Sequence, residues 1–357
     1  MSRYFSEKYS ALTPYTPGEQ PRDRQFVKLN TNENPYPPSV KAREYAAQAA
    51  ERLHLYSDIG CTALTAKLAA LYGVPEECIL FTNGSDEALN FAFMAFCDAD
   101  RPAVFPDITY GFYPVFAALN GVPFEEIPLS EDFTVRVEDY CGIGKTIFLA
   151  NPNAPTGIAL PLSDVERIVR SNPDSVVVID EAYVDFGAQS AVSLINKYDN
   201  LIVTQTFSKS RSLAGGRLGM AIACPALIRD LNTVKFSTNP YNVNTLTQAA
   251  GLGALEDDGY FCRNCAEIQS NRAYLTAALE ELGFTVLNSS ANFVFAKHSD
   301  LDGGALYRQL KERGVLIRHF TLERIKDFNR ITIGTREQLD VLIDHIKDIL
   351  GGAYENR

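Results

Sequence analysis

The stretch Thr206-Phe-Ser-Lys-Ser-Arg-Ser-Leu-Ala-Gly-Gly-Arg-Leu-Gly219 sets one lysine among small residues, beside Phe207 and ahead of Arg217. An apolar neighbour and a second cation both favour the neutral amine, the form that can attack a carbonyl and make a Schiff base. A solvated lysine in a polar loop is the plainer reading of Ser208-Lys209, and other residues weigh against it. Asp180 closes the apolar run Val176–Ile179, with Tyr183 three residues on. A carboxylate at the C-terminal end of a buried strand stands where open α/β sheets bind ligands. Burying it without a cation costs several kcal/mol, which a protonated ring nitrogen would offset. The alternative for Asp180 is a helix cap.

Two further segments lie at strand ends. Asn151-Pro-Asn-Ala-Pro-Thr-Gly157 is a turn by its prolines and glycine, and it aims Asn153 at the same rim, where its amide could donate to a phenolate oxygen. Asn83-Gly-Ser-Asp-Glu-Ala-Leu89 opens a helix, so the amides of Gly84, Ser85 and Asp86 form an anion site. A helix terminus contributes only about 0.3–2 kcal/mol to holding a charge. A phosphate dianion therefore needs charge-assisted donors as well, at roughly 1.5–3 kcal/mol each, and Arg217 and Ser208 can supply them.

Some near-motifs fail. Gly142-Ile-Gly-Lys-Thr146 ends like a P-loop, but Asp139 holds the first glycine position and the run precedes a strand. No Gly-x-Gly-x-x-Gly occurs. The histidines (54, 298, 319, 345) lack metal-ligand spacing, and Cys262-x-x-Cys265 has no second pair. No metal is expected.

These residues need a scaffold of strands. Continuous apolar runs at Ile79–Thr82, Ala103–Phe105, Phe124–Ile127, Thr146–Ala150, Val176–Asp180, Leu201–Thr204 and Met220–Ala223 alternate with helical patterns at Ala42–Leu53, Thr62–Tyr72, Ser85–Phe96, Tyr110–Leu119 and Ser163–Ser171. Unbroken apolar strands imply a sheet covered on both faces, an α/β/α three-layer domain with a mostly parallel sheet. After Pro240 a long helical stretch, Val243 to Leu282 with a break near Asp257–Gly259, leads to four short strands and two helices, a smaller α+β domain. The expected division is an arm over 1–40 joining the small domain, a large domain over 41–245 and a small one over 246–357. The 357 residues exceed the usual size of one core, in keeping with two domains.

Composition narrows the partners. A net charge of −11 argues against a polyanion as main partner, so no nucleic acid is expected. Apolar runs such as Phe91–Cys97 are too short to cross a bilayer, and residues 1–9 lack a signal-type apolar segment. Seven cysteines without framework spacing suit a reducing compartment. A cytoplasmic protein is expected.

In family order, the chain carries Leu29-Asn-Thr-Asn-Glu-Asn-Pro-Tyr36, Asn83-Gly-Ser-Asp-Glu87, Thr109-Tyr-Gly-Phe-Tyr113, Asn153-Ala-Pro-Thr-Gly157, Asp180-Glu-Ala-Tyr183, Ser208-Lys209, Arg217 and Arg330-Ile-Thr-Ile-Gly334. With these motifs it resembles fold-type-I pyridoxal-phosphate-dependent aminotransferases along nearly its whole length, and among them the histidinol-phosphate aminotransferases. The resemblance implies pyridoxal 5'-phosphate, with Lys209 as Schiff-base lysine and proton shuttle and Asp180 as partner of the ring nitrogen. It implies Asn153 and Tyr183 at the ring hydroxyl and Tyr110 stacked on the ring. Gly84, Ser85, Asp86, Ser208 and Arg217 fall at the phosphate. Tyr56 resembles a tyrosine that reaches the neighbouring subunit's cofactor, so a homodimer with composite sites is implied. Arg330 and Arg318 match substrate-anion arginines, the alternative for Arg318 being an ion pair with Glu323. Ala154 departs from the second asparagine common in the family. The implied reaction is transamination between histidinol phosphate and 2-oxoglutarate. Alternatives are an aromatic amino-acid aminotransferase, a lyase like threonine-phosphate decarboxylase, or a cofactor-sensing module.

Overall fold

The computed structural model describes residues 2–21 and 24–355. Residues 1, 22, 23, 356 and 357, which fall within the expected arm and C-terminal domain, lie outside the described residues. The chain begins with an extended arm that ends in β1 (Val27–Lys28), followed by α1 (Val40–Ala49) and α2 (Thr62–Tyr72). Next come β2 (Ile79–Thr82), α3 (Ser85–Phe96), β3 (Ala103–Pro106), α4 (Tyr113–Asn120), β4 (Phe124–Ile127) and β5 (Thr146–Ala150). The first half closes with α5 (Leu162–Ser171), β6 (Val177–Asp180), β7 (Leu201–Thr206) and β8 (Gly219–Ala223).

Strands β2 to β8 form one seven-stranded sheet in the order β2-β8-β7-β6-β5-β3-β4. Its pairings are parallel except for the two made by β8. Both faces are covered. Ile147, Leu149, Val177, Ile179, Leu201 and Val203 enter one core; Phe148, Val178 and Ile202, between them in sequence, enter the other. Two buried faces explain why these strands read as unbroken apolar runs. The same period of two puts Asp180 on the face of Val178 and turns Glu181 to the opposite one.

The second half runs α6 (Pro225–Thr238), α7 (Thr245–Leu255), α8 (Asp258–Glu281), β9 (Phe284–Val286), β10 (Phe293–His298) and α9 (Gly303–Glu312). It ends with β11 (Val315–Leu316), β12 (Arg318–His319), β13 (Asn329–Thr332) and α10 (Arg336–Glu355). Helix α6 has no counterpart in the sequence reading. Its start signal, a proline in the first turn after Cys224, is there, but only Ile228, Leu231 and Lys235 are buried, too thin a stripe to stand out. Asp257 breaks the long helical stretch, its side chain accepting from the Tyr260 N–H to cap α8.

The short segment from Val315 to His319 serves two sheets. β11 pairs in parallel with β1 of the arm, and after Ile317 β12 joins the antiparallel sheet β12-β13-β10-β9. Leu29 of the arm is buried in the same core as Phe293, Ile317 and Ile331. The arm is thereby fastened across the C-terminal half of the chain.

Candidate active site

The C-terminal ends of β5, β6 and β7 open on one rim, and the arm crosses above it. Between them lies a cavity of about 300 Å³, lined among others by Asp180, Tyr183, Lys209 and Arg330. An outer cavity of about 580 Å³ shares Tyr15, Tyr110, Ala154, Arg318 and Arg330 with it. Both volumes suit small-molecule ligands.

Lys209 follows β7 and buried Phe207. Its ammonium donates to the Thr31 carbonyl of the arm at 3.2 Å, and Asn34 fixes its backbone by donating to the Lys209 carbonyl at 2.9 Å. Burial holds the Lys209 pKa down to about 8, and the Arg330 charge adds to the effect. Near neutral pH the amine is therefore unprotonated and nucleophilic far more often than an ordinary lysine.

Asp180 is 4% exposed, and among the described residues no cation pairs with it. Tyr113 and Thr204 each donate a hydroxyl hydrogen bond to it at 3.2 Å. Burial pushes its pKa up to about 7, with the Asp86 charge adding to that and the two hydroxyls opposing it. Glu181, on the other face, is likewise pushed up to about 7 by burial, but Ser190, the Ala191 N–H and Gln205 all donate to it. Two adjacent carboxylates are thus sorted: Glu181 is satisfied within the protein, and Asp180 faces the cavity.

At the other end of the cavity, Gly84 precedes α3 with a left-handed φ of 80°. A Cβ there would lie 2.5 Å from Arg217 Nη2, so only glycine admits the guanidinium over the helix N-terminus. Arg217 pairs with Asp86 at 2.8 Å, and the Tyr110 hydroxyl donates to the other Asp86 oxygen at 2.7 Å. Burial together with the Asp86 charge raises the Tyr110 pKa, keeping that hydroxyl a donor. Ser208 lies within hydrogen-bond distance of Thr206, 2.9 Å between hydroxyls. Ser85, Asp86, Ser208 and Arg217 all line the inner cavity.

The arginines meet by strand register. Arg318 on β12 stands opposite Arg330 on β13, and both line both cavities. Arg330 donates to the Asn30 carbonyl at 3.1 Å and lies against Phe293 and Phe320, while its buried Nε has no partner among the described residues. Arg318 donates to the carbonyls of Thr16 and Pro17. Glu323 pairs with Lys326 instead of Arg318.

Two expected residues sit elsewhere. Asn153 turns away from the cavity: its amide donates to the Ile108 carbonyl at 3.0 Å and to Thr156 at 3.1 Å, and its oxygen accepts from Thr109 at 2.9 Å. Its polar capacity is used in holding the turn, and Ala154 takes the place at the rim. The expectation that Asn153 donates to a ligand phenolate is corrected accordingly. Tyr56 is 83% exposed, stacked on Tyr241 outside this chain's own cavity. Conversely, the sequence reading passed over Tyr113, Thr204, Thr31 and Asn32. Thr204 stands beside Asp180 only by register between parallel strands, which sequence does not reveal.

Residues 24–346 match the family model described as Aminotransferase class I and II. Among full-length relatives, histidinol-phosphate aminotransferase 2 of Dechloromonas aromatica is 48% identical, covering 98% of this chain and 100% of its own. Histidinol-phosphate aminotransferase 1 of Bradyrhizobium diazoefficiens is 50% identical over the same shares. Among solved structures, histidinol-phosphate aminotransferase from Sinorhizobium meliloti in complex with pyridoxal-5'-phosphate shares the fold at a TM-score of 0.88, with 22% identity over 98% of this chain and 99% of that one.

Proposed function

Because the chain belongs to the class I and II aminotransferases, we propose that it transfers an amino group between histidinol phosphate and 2-oxoglutarate. Its cofactor is pyridoxal 5'-phosphate, and the pocket fits that group: a buried carboxylate lacks a cation, a lysine amine is held near neutrality, and the Gly84 cradle keeps Arg217 over a helix N-terminus. When bound, the cofactor supplies an electron sink for the carbon beside the substrate nitrogen. The chain's residues do the rest. Asp180 keeps a proton on the ring nitrogen, and Tyr110 covers the ring. The amides of Gly84, Ser85 and Asp86, the Ser208 hydroxyl and Arg217 hold the phosphate. Lys209 Nζ, when neutral, would hold and move the proton that leaves the substrate carbon.

The observation that carries the substrate assignment is the Arg318–Arg330 pair, in register and facing one cavity. Histidinol phosphate bears a phosphate where glutamate bears carboxylates, so one clamp of planar, permanently charged donors serves both. Arg330→Ala lowers kcat/KM for both by roughly a hundredfold or more, since it leaves a desolvated anion unpaired. Arg318→Ala penalises histidinol phosphate more than glutamate. The ratio of specificity constants for histidinol phosphate and phenylalanine checks this. A wild type that prefers phenylalanine, with neither variant changing the ratio, sinks the phosphate-substrate reading in favour of an aromatic aminotransferase.

The enzyme acts as a homodimer in this reading. Exposed Tyr56 and Tyr241 stack at 4.5 Å, near exposed Leu53 and Leu55, an apolar face suited to a second copy. Tyr56 then reaches the partner's cofactor phosphate. The protein sediments at twice 39.4 kDa. Mixed Tyr56→Phe and Lys209→Ala subunits form heterodimers in which one site lacks both groups and the other neither, so the mixture outperforms its parents. A fully active monomer refutes the arrangement. The seven free thiols favour the cytoplasm as its compartment, and among the described residues no helix is long and apolar enough to cross a membrane.

A further inference from the structure

Asn32 lies in the arm, 1% exposed, in a left-handed conformation with φ 56°. Four hydrogen bonds fix it. Its N–H donates to the Thr332 hydroxyl at 3.0 Å, which in turn donates to Asn32 Oδ1 at 3.0 Å. Asn292 donates to the Asn32 carbonyl at 3.0 Å. With Oδ1 facing Thr332, Nδ2 faces Tyr183 and donates to its hydroxyl oxygen at 2.9 Å. That bond occupies a lone pair on the tyrosine oxygen and leaves its proton free. Tyr183 lines the inner cavity, its ring edge-on to Phe293, and among the described residues none accepts its hydroxyl proton. Burial raises the Tyr183 pKa, so the group remains a donor.

We propose that Asn32 is a positioning residue that aims the Tyr183 proton at the cofactor's ring hydroxyl, and that this relay stands in for an asparagine amide at that oxygen. The inference rests on pyridoxal phosphate binding as described above. The hydroxyl and the phosphate arm flank the carbon that Lys209 attacks, on opposite sides. With the phosphate at Arg217, the hydroxyl falls on the side of Tyr183 and Ala154. The Ala154 side chain offers no donor there, and the Asn153 side-chain amide is engaged with Ile108 and Thr156. The Thr332–Asn32–Tyr183 chain links the C-terminal sheet, the arm and the rim, so the electronics of the ring depend on an arm residue that touches no reacting atom.

A proton donated to the ring oxygen stabilises its anionic form and lowers the proton affinity of the neighbouring nitrogen. The readout is the pH midpoint of the colour change in the resting holoenzyme, not its turnover. Asn32→Ala raises the midpoint by about one pH unit, the scale of one lost hydrogen bond to a charged group. Thr332→Val, which loosens Asn32 without touching Tyr183, raises it by a smaller amount. In a Tyr183→Phe background, Asn32→Ala adds no further shift. An unchanged midpoint in coloured Asn32→Ala holoenzyme, or an equal shift in the Tyr183→Phe background, overturns the relay. If Asn32→Ala does not fold, Thr332→Val alone decides: a midpoint equal to wild type overturns the proposal. Failure of the wild type to form a coloured adduct on Lys209 defeats the cofactor reading instead, so the two failures are distinct.

Discussion

Lys209→Ala keeps the native fold and loses transamination by about four orders of magnitude or more. The side chain combines two functions that are usually separate, nucleophile and proton carrier, and each alone contributes on the order of a hundredfold to ten-thousandfold. Its removal leaves a small void at a solvent-connected rim and one freed carbonyl at Thr31, so circular dichroism and melting stay near wild type. Borohydride reduction of the yellow wild type places the label on Lys209, and label on another lysine ends the assignment. The held-down pKa adds a pH signature. The neutral amine is the reactive form, so the rate of cofactor uptake rises with pH through about 8 and then levels off. An ordinary lysine would keep rising towards 10.5. Uptake that climbs without a plateau contradicts the buried environment described here.

Asp180→Asn retains the cofactor and slows removal of the substrate proton by roughly two to four orders of magnitude, because a neutral amide cannot hold a positive ring nitrogen. Single-turnover rates within about tenfold of wild type count against the pairing. The same substitution has an opposite effect on the ligand-free protein. The folded pKa of Asp180, about 7, lies above its ordinary 3.8, so its contribution to stability is present below 3.8 and is lost as pH rises through 7. Asparagine has no such loss, and the Tyr113 and Thr204 hydroxyls can turn to suit it. At pH 8 the ligand-free variant melts above ligand-free wild type, and with cofactor bound the order reverses. Matched melting curves with and without pyridoxal phosphate show that crossing. Identical curves for the two ligand-free proteins would mean that the carboxylate carries no burial penalty.

Much of this site was legible in sequence because its residues sit at the ends of strands that are buried on both faces. Asp180 and Lys209 each follow an apolar run, and the glycine ahead of α3 marks the helix start over which Arg217 lies. Properties that depend on register or side-chain direction were not legible. Asn153 has the right residue type at the right turn, yet its amide closes the turn on Ile108 and Thr156. Tyr113 was visible as an aromatic beside Tyr110, but its bond to Asp180 requires that α4 begin three residues later than the apolar pattern suggests. Helix α6 escaped notice because a helix over a sheet edge needs only a narrow apolar stripe. The division of Val315–His319 between two sheets leaves no trace in so short a segment, because strand partners are not written in the residues themselves.

That divided strand has a consequence for how the protein is made. Residues 16 and 17 are translated long before the arginine that grips their carbonyls, Arg318, which lies 302 and 301 residues further on. All seven strands of the large sheet precede Cys224, and the helices α6 and α7 that enter its cores end at Leu255, so this part of the chain can pack before β11 is made. The arm cannot settle until β11 has emerged to pair with β1, and contacts of such separation form slowly. During synthesis, therefore, the nascent chain carries Lys209 and the Gly84 turn before the arm is fastened above them, and Arg318 and Arg330 are among the last of the cavity's residues to take their places.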